Sequence, residues 1–321
     1  MIVPEVSVVM SIYNGAAELD SSIESILNQD RVDLEVIAIN DGSTDQTREL
    51  LESWARRDTR VRVFNQDNVG LTQSLVRGCK AALGKYIARQ DVGDISLQGR
   101  LRRQKALLDT DENIAFVSCW AEVCGPDWEP LYVVKGTGVA ARAMCVVPKS
   151  RSAGPLLDEP TSHPTVMFRR DAYIRCGGYQ PAFYFGQDRE LWYRLAEVGL
   201  FAMIEQPLYR VKLTPGSISS EFRNQQNQLG KLAQEAFWAR QRGASDQDQL
   251  REASNIRPSR LRPRSQNASA AWLYFIGECL RKNRDPRARR YLLKSLTIDA
   301  LAPRTWVRLV QSTMLLISGK K

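Results

Sequence analysis

This sequence of 321 residues has few of the residues and patterns that mark several common classes of protein. Its one histidine, His163, excludes a multi-histidine metal centre. The six cysteines are scattered, and the closest pair, Cys119 and Cys124, matches no metal-binding spacing. No apolar run reaches about 18 residues, so no transmembrane helix is predicted. The N-terminus lacks the basic start and cleavage site of a signal peptide, which together with scattered cysteines predicts a cytoplasmic protein with reduced thiols.

Positive charge is concentrated in the last third of the chain. From residue 222 onward 20 lysines and arginines stand against 7 aspartates and glutamates, whereas residues 1–221 hold 25 against 29. A basic surface suits anionic lipid, a pyrophosphate-linked substrate or nucleic acid, although it is also compatible with a solvated helical surface. Nucleic acid is the least favoured partner, because the basic region lacks interleaved aromatic residues and any recognised motif.

Strand and helix patterns alternate over the first 91 residues. Apolar runs predict buried strands at 6–14 and 34–41, followed by a short third strand at 61–66 and a strand at 85–91 after the stop at Gly84. Apolar residues at helical spacing predict helices at 19–29, 42–57 and 68–83. The alternation predicts an α/β fold with a Rossmann-like, mostly parallel central sheet flanked by helices. The polar clusters SIYN, NDGSTD and QDVGD each follow a strand, so they should meet in one crevice beyond the carboxyl ends of the strands.

The pattern is mixed after residue 115. Strands are predicted at 114–124 and 201–213 and helices at 185–199 and 220–243, while 135–150 is ambiguous and 162–179 reads as a strand, a short helix and a Gly-Gly turn. We predict one domain over residues 1–219 and a basic, helical C-terminal region over residues 220–321. Within that region, 244–269 is linker-like and 270–318 contains a helical hairpin and a terminal helix.

Seven stretches, taken together, resemble the family-2 glycosyltransferases, which are inverting enzymes of the GT-A fold. They are VSVVMSIYNGAAELDSSIESILNQ, VIAINDGSTDQT, NVGLTQSL, GKYIARQDVGDISLQGRL, HPTVMFRRDAYIRCGGY, GQDRELWYRLAEVG and LYRV with PGSIS. The resemblance covers residues 6 to about 219 and leaves the basic C-terminal region unexplained. It implies a GT-A domain that transfers a sugar from a UDP-sugar to a glycan or lipid-linked acceptor, in cell-surface polysaccharide biosynthesis.

The resemblance assigns Ser11 and Tyr13 to a pocket for the uracil base, where an aromatic ring can lie against a planar base. Tyr13 could instead pack to close the end of its strand. Asp41 could accept a hydrogen bond from a base N–H, or it could form an Asx turn while Asp45 caps the next helix. Asn68 is expected to contact the nucleotide in the same crevice.

The Asp-x-Asp metal motif of the family falls on Asp91 to Asp94, with Gly93 at the usual ligand position. The resemblance implies Mn²⁺ or Mg²⁺, and three arrangements are open. Asp91 or Asp94 binds the metal, or diphosphate and water hold it weakly, or Arg89 and Arg100 replace it. Loss of catalysis is a fourth alternative.

Asp188 in GQDRELW falls on the catalytic base of the family. One carboxylate suffices for an inverting transfer, because it takes the acceptor proton while the acceptor oxygen attacks. Alternatively, Asp188 is an acid favoured at a helix N-terminus, where the helix dipole would keep its pKa low. Glu190 stands where the family has a second aspartate, and Trp192 either lines the acceptor pocket or belongs to the core.

Two further positions follow from the resemblance. Gly178, in the Gly-Gly-Tyr turn, is expected to let backbone amides approach the donor sugar. His163 is expected to contact pyrophosphate or to complete a metal site, unless it is structural.

Two other functions compete with this interpretation. The departures from the family pattern at Gly93 and Asn40 suggest a non-catalytic or weakened relative that binds nucleotide sugars. A sugar nucleotidyltransferase is the other alternative, but SIYNGAAELD is not its glycine-rich, arginine-containing phosphate loop. The basic C-terminal region suggests peripheral contact with the anionic inner face of a membrane, which also needs apolar residues. Residues that would provide this contact, or would instead pack against the catalytic domain, are Trp306, Leu309, Leu315 and Leu316.

Overall fold

The computed structural model describes residues 3–136, 159–214, 222–258 and 266–318. Cys145, the ambiguous stretch from residue 137 onward and the PGSIS motif lie outside the described residues. The chain divides into two compact units, the first with residues up to 121, 134–211 and 222–258, and the second with 122–133, 212–221 and 259–321.

Nine strands form one sheet with the order β3-β2-β1-β4-β8-β6-β9-β5, and β7 pairs with β6. The strands are β1 Val6–Ile12, β2 Leu34–Asp41, β3 Val61–Gln66, β4 Tyr86–Arg89, β5 Ile95–Ser96, β6 Ile114–Cys124, β7 Pro130–Val134, β8 Met167–Arg169 and β9 Leu200–Lys212. The first four strands pair in parallel, whereas β8 pairs antiparallel with both β4 and β6. The predicted α/β fold with a largely parallel sheet is therefore confirmed.

Helices cover both faces of this sheet in the first unit. They are α1 Leu19–Leu27, α2 Thr47–Arg57, α3 Leu71–Ala81, α4 Arg100–Asp109, α5 Arg170–Arg175, α6 Gln187–Val198, α7 Arg223–Gln241 and α8 Gln247–Asn255. Because successive side chains of a strand point to opposite faces, Val8 packs with Ile23 of α1, whereas Val9 packs with Leu75 of α3. The near-continuous burial of β1 and β2 follows from this coverage.

The register of the parallel strands places the polar clusters at one edge of the sheet. Ile12 pairs with Asn40, and Asp41 pairs with Gln66. On the other side of β1, Val9 pairs with Arg89. The loops that follow β1, β2 and β4 therefore leave the sheet at the same edge, as predicted for a crevice at the carboxyl ends of the strands.

The first unit continues beyond the predicted domain end at residue 219. Leu229 and Phe237 of α7 are completely buried in a core that also contains Leu195 of α6. The linker prediction is wrong for Gln247–Asn255, which forms α8 and buries Ala253. Polar composition indicated a loop there, but one buried alanine and the packing of α8 on α7 are enough to hold a short helix.

The second unit contains α9 Gln266–Lys282, α10 Ala288–Ile298 and α11 Pro303–Ser318. The helical hairpin and the terminal helix are present, and α9 begins four residues earlier than predicted. Gly277 lets α9 approach α10, since a Cβ there would lie 2.8 Å from Leu292. Buried Glu129 accepts a 2.6 Å hydrogen bond from the hydroxyl of Tyr291, which ties α10 to the turn before β7. No helix within the described residues is long and apolar enough to cross a bilayer.

Candidate active site

Asp41 anchors the loop between β3 and α3. Its carboxylate is 3% exposed and accepts hydrogen bonds from Gln66 Nε2 at 2.8 Å, from the N–H of Val69 at 3.0 Å and from the N–H of Gly70 at 2.9 Å. These bonds hold the start of α3 against the end of β2. The carboxylate therefore has a structural role, whatever else it binds.

Asn68 lies directly over the end of β2. Gly42 has a φ of +71°, and a Cβ at this glycine would lie 2.5 Å from the backbone nitrogen of Asn68. Only glycine permits this close approach of the two backbones. As a result, the side chain of Asn68 is exposed at the edge of the crevice, beside the loop that Asp41 holds.

Tyr13 follows β1 and is 52% exposed, so it is not a packed aromatic that closes the strand. The next residue, Asn14, has a φ of +51°, and its Oδ1 accepts a 2.8 Å hydrogen bond from the N–H of Thr44. This bond ties the loop after β1 to the loop after β2. Ser11, within β1 and opposite Ile39, is partly buried behind Tyr13.

Asp45 and Asn40 stabilise the loop after β2. Asp45 accepts a 3.0 Å hydrogen bond from the N–H of Thr47, the first residue of α2, so Asp45 forms the Asx turn that was expected of Asp41. The predicted cap is wrong, because the N-cap residue of α2 is Gln46 and makes no side-chain cap hydrogen bond. Asp45 also accepts a 3.1 Å hydrogen bond from the N–H of Ala16. Asn40 accepts a 3.1 Å hydrogen bond from the N–H of Ser43. These polar side chains are therefore engaged within the protein.

Asp91 is held from behind by a buried arginine. Arg89 is completely buried, and its Nη2 lies 2.5 Å from Asp91 Oδ1, while its Nη1 donates to the carbonyl of Val9 at 2.8 Å. The side chain of Asp91 is 40% exposed. The guanidinium thus orients the carboxylate and does not itself face the crevice.

Arg100 is also completely buried, and it donates to the carbonyls of Arg89 at 2.8 Å and Pro164 at 2.7 Å. The prediction that Arg89 and Arg100 bind diphosphate in place of a metal is therefore wrong in this arrangement. Their positions next to the Asp-x-Asp motif suggested contact with phosphate. Because both side chains are buried and donate to backbone carbonyls, they instead stabilise the loop after β4. Asp91 is the charged group of this loop that a ligand can reach.

Gly93 has a φ of +93°, which an L-residue rarely adopts. A Cβ at this position would meet only Glu18 Cβ, at 3.9 Å, so space for a side chain is present. The backbone conformation therefore accounts for the glycine. Asp94 is 6% exposed, and its backbone carbonyl accepts hydrogen bonds from Ser22 Oγ and Gln90 Nε2, which makes the loop rigid.

Few side chains in the loop after β4 could bind a metal ion. Within the described ranges, no group of three or more histidine, cysteine or acidic residues is arranged to hold one. Mg²⁺ and similar cations are often bound through one or two carboxylates, substrate phosphates and water. The exposed carboxylate of Asp91 fits that mode, whereas the buried Asp94 does not.

Asp188 is half-buried in the first turn of α6, after Gly186 with a φ of +67°. Its Oδ1 accepts a 2.8 Å hydrogen bond from the N–H of Arg189. Burial raises the pKa of the Asp188 carboxyl, and the negative charge of Asp91 adds to this increase. The prediction that the helix dipole keeps this pKa low is therefore wrong, because burial outweighs the N–H contact. The same coupling shows that the fold brings Asp91 and Asp188 near each other.

His163 pairs with Tyr179. Its Nε2 lies 2.7 Å from the hydroxyl of Tyr179, and the two rings meet edge to face with centroids 5.7 Å apart. Burial lowers the pKa of His163 well below its usual value, and the positive charge of Arg89 adds to the effect. The imidazole is therefore neutral near pH 7 and belongs to a cluster of rings with Tyr179 and Tyr173.

The Gly-Gly-Tyr turn is packed against the protein. Gly178 has a φ of +68°, and a Cβ there would lie 2.7 Å from the ring of Tyr173, so the close approach is to this ring. Arg194 donates to the carbonyl of Gly178 and to both oxygens of Glu190 at 2.7 Å. Glu190 is 1% exposed and Trp192 lies in the core, so neither is available to a ligand.

Two tyrosines near the site were not predicted. The hydroxyl of Tyr209 accepts a 3.2 Å hydrogen bond from the N–H of Asp91. Tyr184 lies against Gly70, where a Cβ would be 2.9 Å from its ring, so the loop before α6 meets the start of α3. The sequence signal for Tyr184 was weak, since it stands in an aromatic run, FYF, that is typical of a core segment.

The sequence profile of Glycosyl transferase family 2 matches residues 7–173. The putative glycosyltransferase EpsE of Bacillus subtilis is 32% identical over 221 residues, which are 65% of this chain and 73% of that protein. An uncharacterized glycosyltransferase of Haemophilus influenzae is 27% identical over 238 residues, 71% of either chain. The chain therefore belongs to glycosyl transferase family 2, and it is a glycosyltransferase.

Solved structures agree on the fold. S. aureus TarS 1–349 in complex with UDP has a TM-score of 0.57 at 14% identity, covering 97% of this chain and 88% of that one. The mannosyltransferase PcManGT from Pyrobaculum calidifontis, in complex with GDP-Man and Mn²⁺, has a TM-score of 0.52 at 16% identity, covering 99% and 88%. The architecture is that of the GT-A glycosyltransferases, with helices at the C-terminus.

Proposed function

We propose that the protein is an inverting glycosyltransferase that moves a sugar from a UDP-sugar to a hydroxyl group of a glycan or lipid-linked acceptor. The observation that carries this proposal is the raised pKa of the half-buried Asp188, to which burial contributes most and the nearby negative charge of Asp91 adds. In this proposal Asp91 faces the diphosphate and Asp188 accepts the proton. An inverting transfer needs these two functions on opposite sides of the anomeric carbon, because the acceptor oxygen attacks from the side opposite to the leaving diphosphate.

In this proposal Asp188 is the general base. As the acceptor oxygen attacks the anomeric carbon, Asp188 takes its proton, and the bond from that carbon to the diphosphate oxygen breaks with its electron pair leaving on the diphosphate. A raised pKa suits this role, because a base is most effective when its pKa approaches the working pH. The alternative of a simple helix-terminal acid does not account for burial of the carboxylate near Asp91.

Asp91 faces the leaving diphosphate in the same scheme. It would hold Mn²⁺ or Mg²⁺ together with phosphate oxygens and water, as its exposed carboxylate allows. When bound, such a cation supplies positive charge that stabilises the leaving group. Arg89 is a positioning residue, because its buried guanidinium fixes the direction of the Asp91 carboxylate.

The nucleotide is proposed to lie at the edge formed by Tyr13 and Asn68, with Ser11 behind Tyr13. The exposed ring of Tyr13 offers a surface for the base. An ionised carboxylate has about four acceptor positions. Asp41 uses three of them within the protein, which leaves one for an N–H of uracil. Support for UDP comes from the UDP and UDP-GlcNAc complexes of TarS, whereas PcManGT was solved with GDP-Man.

The acceptor and the biosynthetic pathway are proposed from the resemblance to family 2 and from the basic C-terminal region. A role in cell-surface polysaccharide biosynthesis, with a lipid-linked acceptor at the inner face of the membrane, would make use of the basic C-terminal region. Such access requires only peripheral contact of a cytoplasmic enzyme, in which the basic region attracts anionic lipid and apolar residues stabilise the attachment.

The decisive experiment is transfer, or slow donor hydrolysis, with a panel of UDP- and GDP-sugars in the presence of Mn²⁺, Mg²⁺ or EDTA. We expect turnover with a UDP-sugar, no turnover with GDP-sugars, and loss of turnover in EDTA. Binding of UDP without turnover of any donor would support a non-catalytic relative instead. Turnover of a GDP-sugar alone would retain the transferase and reject the assignment of the uracil pocket.

A further inference from the structure

The polarity of helix α11 in the second unit is the reverse of that of an ordinary surface helix. Trp306, Val307 and Val310 are 50%, 53% and 51% exposed, whereas Thr305 and Ser312 are 3% and 5% exposed. At about 3.6 residues per turn, the three apolar residues lie on one side of the helix and the two hydroxyl residues on the opposite side. A surface helix normally buries its apolar side.

The exposed apolar surface extends into the turn before α11. Leu301 is 90% exposed. The indole Nε1 of Trp306 donates a 2.8 Å hydrogen bond to the carbonyl of Ala300, which fixes the ring beside this turn. We call Leu301, Trp306, Val307 and Val310 the apolar stripe. Leu309 is only partly buried, and the side chains of Leu315 and Leu316 lie outside the description.

The charge around the apolar stripe is almost entirely positive. Residues 286–321 contain eight lysines and arginines and one acid, Asp299. Arg304 and Arg289 are exposed and form no ion pair with any residue that the structure describes. Arg304 precedes Val307 and Arg308 by one helical turn, so it borders the stripe, whereas Arg308 is engaged by Glu278 at 3.3 Å.

We propose that the apolar stripe inserts into the interface of an anionic lipid bilayer, with Arg304 and its cationic neighbours against the headgroups. Exposed tryptophan and aliphatic residues beside unpaired arginines are the composition of helices that lie in a membrane surface. A second copy of the chain would bring like charges together. Nucleic acid would meet the cations but would leave the stripe in water. This inference refines the membrane contact proposed above, and it can be tested without any donor.

The test is cosedimentation of the full chain with vesicles of phosphatidylcholine, alone or mixed with phosphatidylglycerol. We expect saturable binding to the mixed vesicles, little binding to pure phosphatidylcholine, and release at high salt, because the charges involved are exposed. Wild-type protein that stays in the supernatant with anionic vesicles at low salt overturns the proposal.

Variants locate the contact. The double variant Trp306→Ser with Val307→Ser should partition at least about tenfold more weakly into anionic vesicles, and Arg304→Glu at least about fivefold more weakly. Ile174→Ser and Lys80→Glu are matched controls in the first unit, since Ile174 is 62% exposed and Lys80 is an exposed cation. Both controls should bind like the wild type. Circular dichroism and thermal unfolding check that every variant is folded.

Three results would reject the proposal that the apolar stripe binds a membrane. The first is unchanged vesicle binding by the Trp306 double variant, and the second is an equal loss in the two controls. The third is a wild-type dimer that becomes a monomer on Trp306→Ser without any vesicle binding, which would assign the stripe to self-association. Intact sugar transfer to a soluble acceptor alongside absent vesicle binding would reject this inference while leaving the proposed catalytic function in place.

Discussion

Asp41 is the last residue of β2 and Asp188 lies in the first turn of α6, and the surroundings of the two carboxylates differ. Asp41 is 3% exposed and accepts three hydrogen bonds from the loop before α3. Asp188 is half-buried, accepts a hydrogen bond from the N–H of Arg189, and has Asp91 as a negative neighbour. The pKa of Asp188 is raised by burial and by that neighbour.

These surroundings give the two carboxylates different roles: Asp41 stabilises the loop, whereas Asp188 is suited to proton transfer. Donors aimed at Asp41 stabilise its charge and fix its position, so it resembles a structural anchor. The charge of Asp188 is less well compensated, which favours uptake of a proton. Variants of these two residues should therefore fail in different ways, and the following predictions test that contrast.

The largest effect is expected for Asp188→Asn, which should lower kcat by about 10³-fold, because the amide cannot accept the acceptor proton. UDP affinity should stay within about twofold, as measured by calorimetry. The protein should be no less stable at neutral pH. Since the folded pKa of Asp188 lies above its unfolded value, its ionisation costs stability as pH rises through the folded pKa.

The pH dependence checks the same assignment. Wild-type kcat should rise through the raised pKa of Asp188, so the acid limb should lie above that of an ordinary carboxyl group. Asp171→Asn is the control, because Asp171 is an exposed acid in the first turn of α5. It should leave kcat and the pH profile unchanged. Normal transfer by Asp188→Asn would show that another group is the base.

A smaller and different effect is expected for Asp41→Asn. The amide oxygen of asparagine can still accept from Gln66 and Val69, which both donate to Oδ1 of Asp41. The amide nitrogen in place of Oδ2 cannot accept from the buried N–H of Gly70, so the free energy of unfolding should fall by about 2 kcal/mol. The KM for the donor should rise by at least about tenfold, because the loop that carries Asn68 loosens. Thermal unfolding and initial rates measure the two effects.

The nearby exposed acid Asp67 provides the control for Asp41. Asp67→Asn removes a carboxylate from the same loop and should change stability by less than about 0.5 kcal/mol, because Asp67 is on the surface. If Asp41→Asn lowered kcat without affecting KM or stability, Asp41 would act in the reaction itself, and its assignment as a structural anchor would be wrong.

The smallest effect is expected at Gly93, and it is best seen in the metal response. Gly93→Asp places a third carboxylate in open space between Asp91 and Asp94, at a backbone cost of about 1–2 kcal/mol for a left-handed φ. The Mn²⁺ concentration for half-maximal activity should fall. Gly93→Ala carries the same backbone strain without a ligand, so it should destabilise equally and leave the metal response unchanged. Equal metal responses in the two variants would place the cation elsewhere.

Much of the fold could be predicted from local pattern. The runs at Leu34–Asp41 and Ile114–Cys124 match the observed strands, since near-continuous burial leaves a plain apolar signal. The short strand Val61–Gln66 was also predicted, although Val61 is its one buried residue. The helix α8 was missed because most of its sequence is polar, so the two apolar residues at helical spacing that pack against the core, Leu250 and Ala253, do not stand out. The metal-replacing role of Arg89 and Arg100 failed for a related reason, as burial of a charged side chain cannot be read from its position in a motif.

The α/β fold could be predicted from sequence patterns, and the glycosyltransferase class from the resemblance of seven stretches to family 2. The order of strands, the polar clusters at their ends and the spacing of Asp41, Asp91 and Asp188 all follow from local chemistry and from one-dimensional spacing. Only the tertiary structure decided which charges are exposed. In the folded protein Arg89 is buried beside Asp91, and Asp41 accepts three hydrogen bonds. Folding also raises the pKa of Asp188 and leaves the apolar side of α11 exposed. Exposure and pKa depend on neighbours that are distant in sequence, so no local pattern contains them.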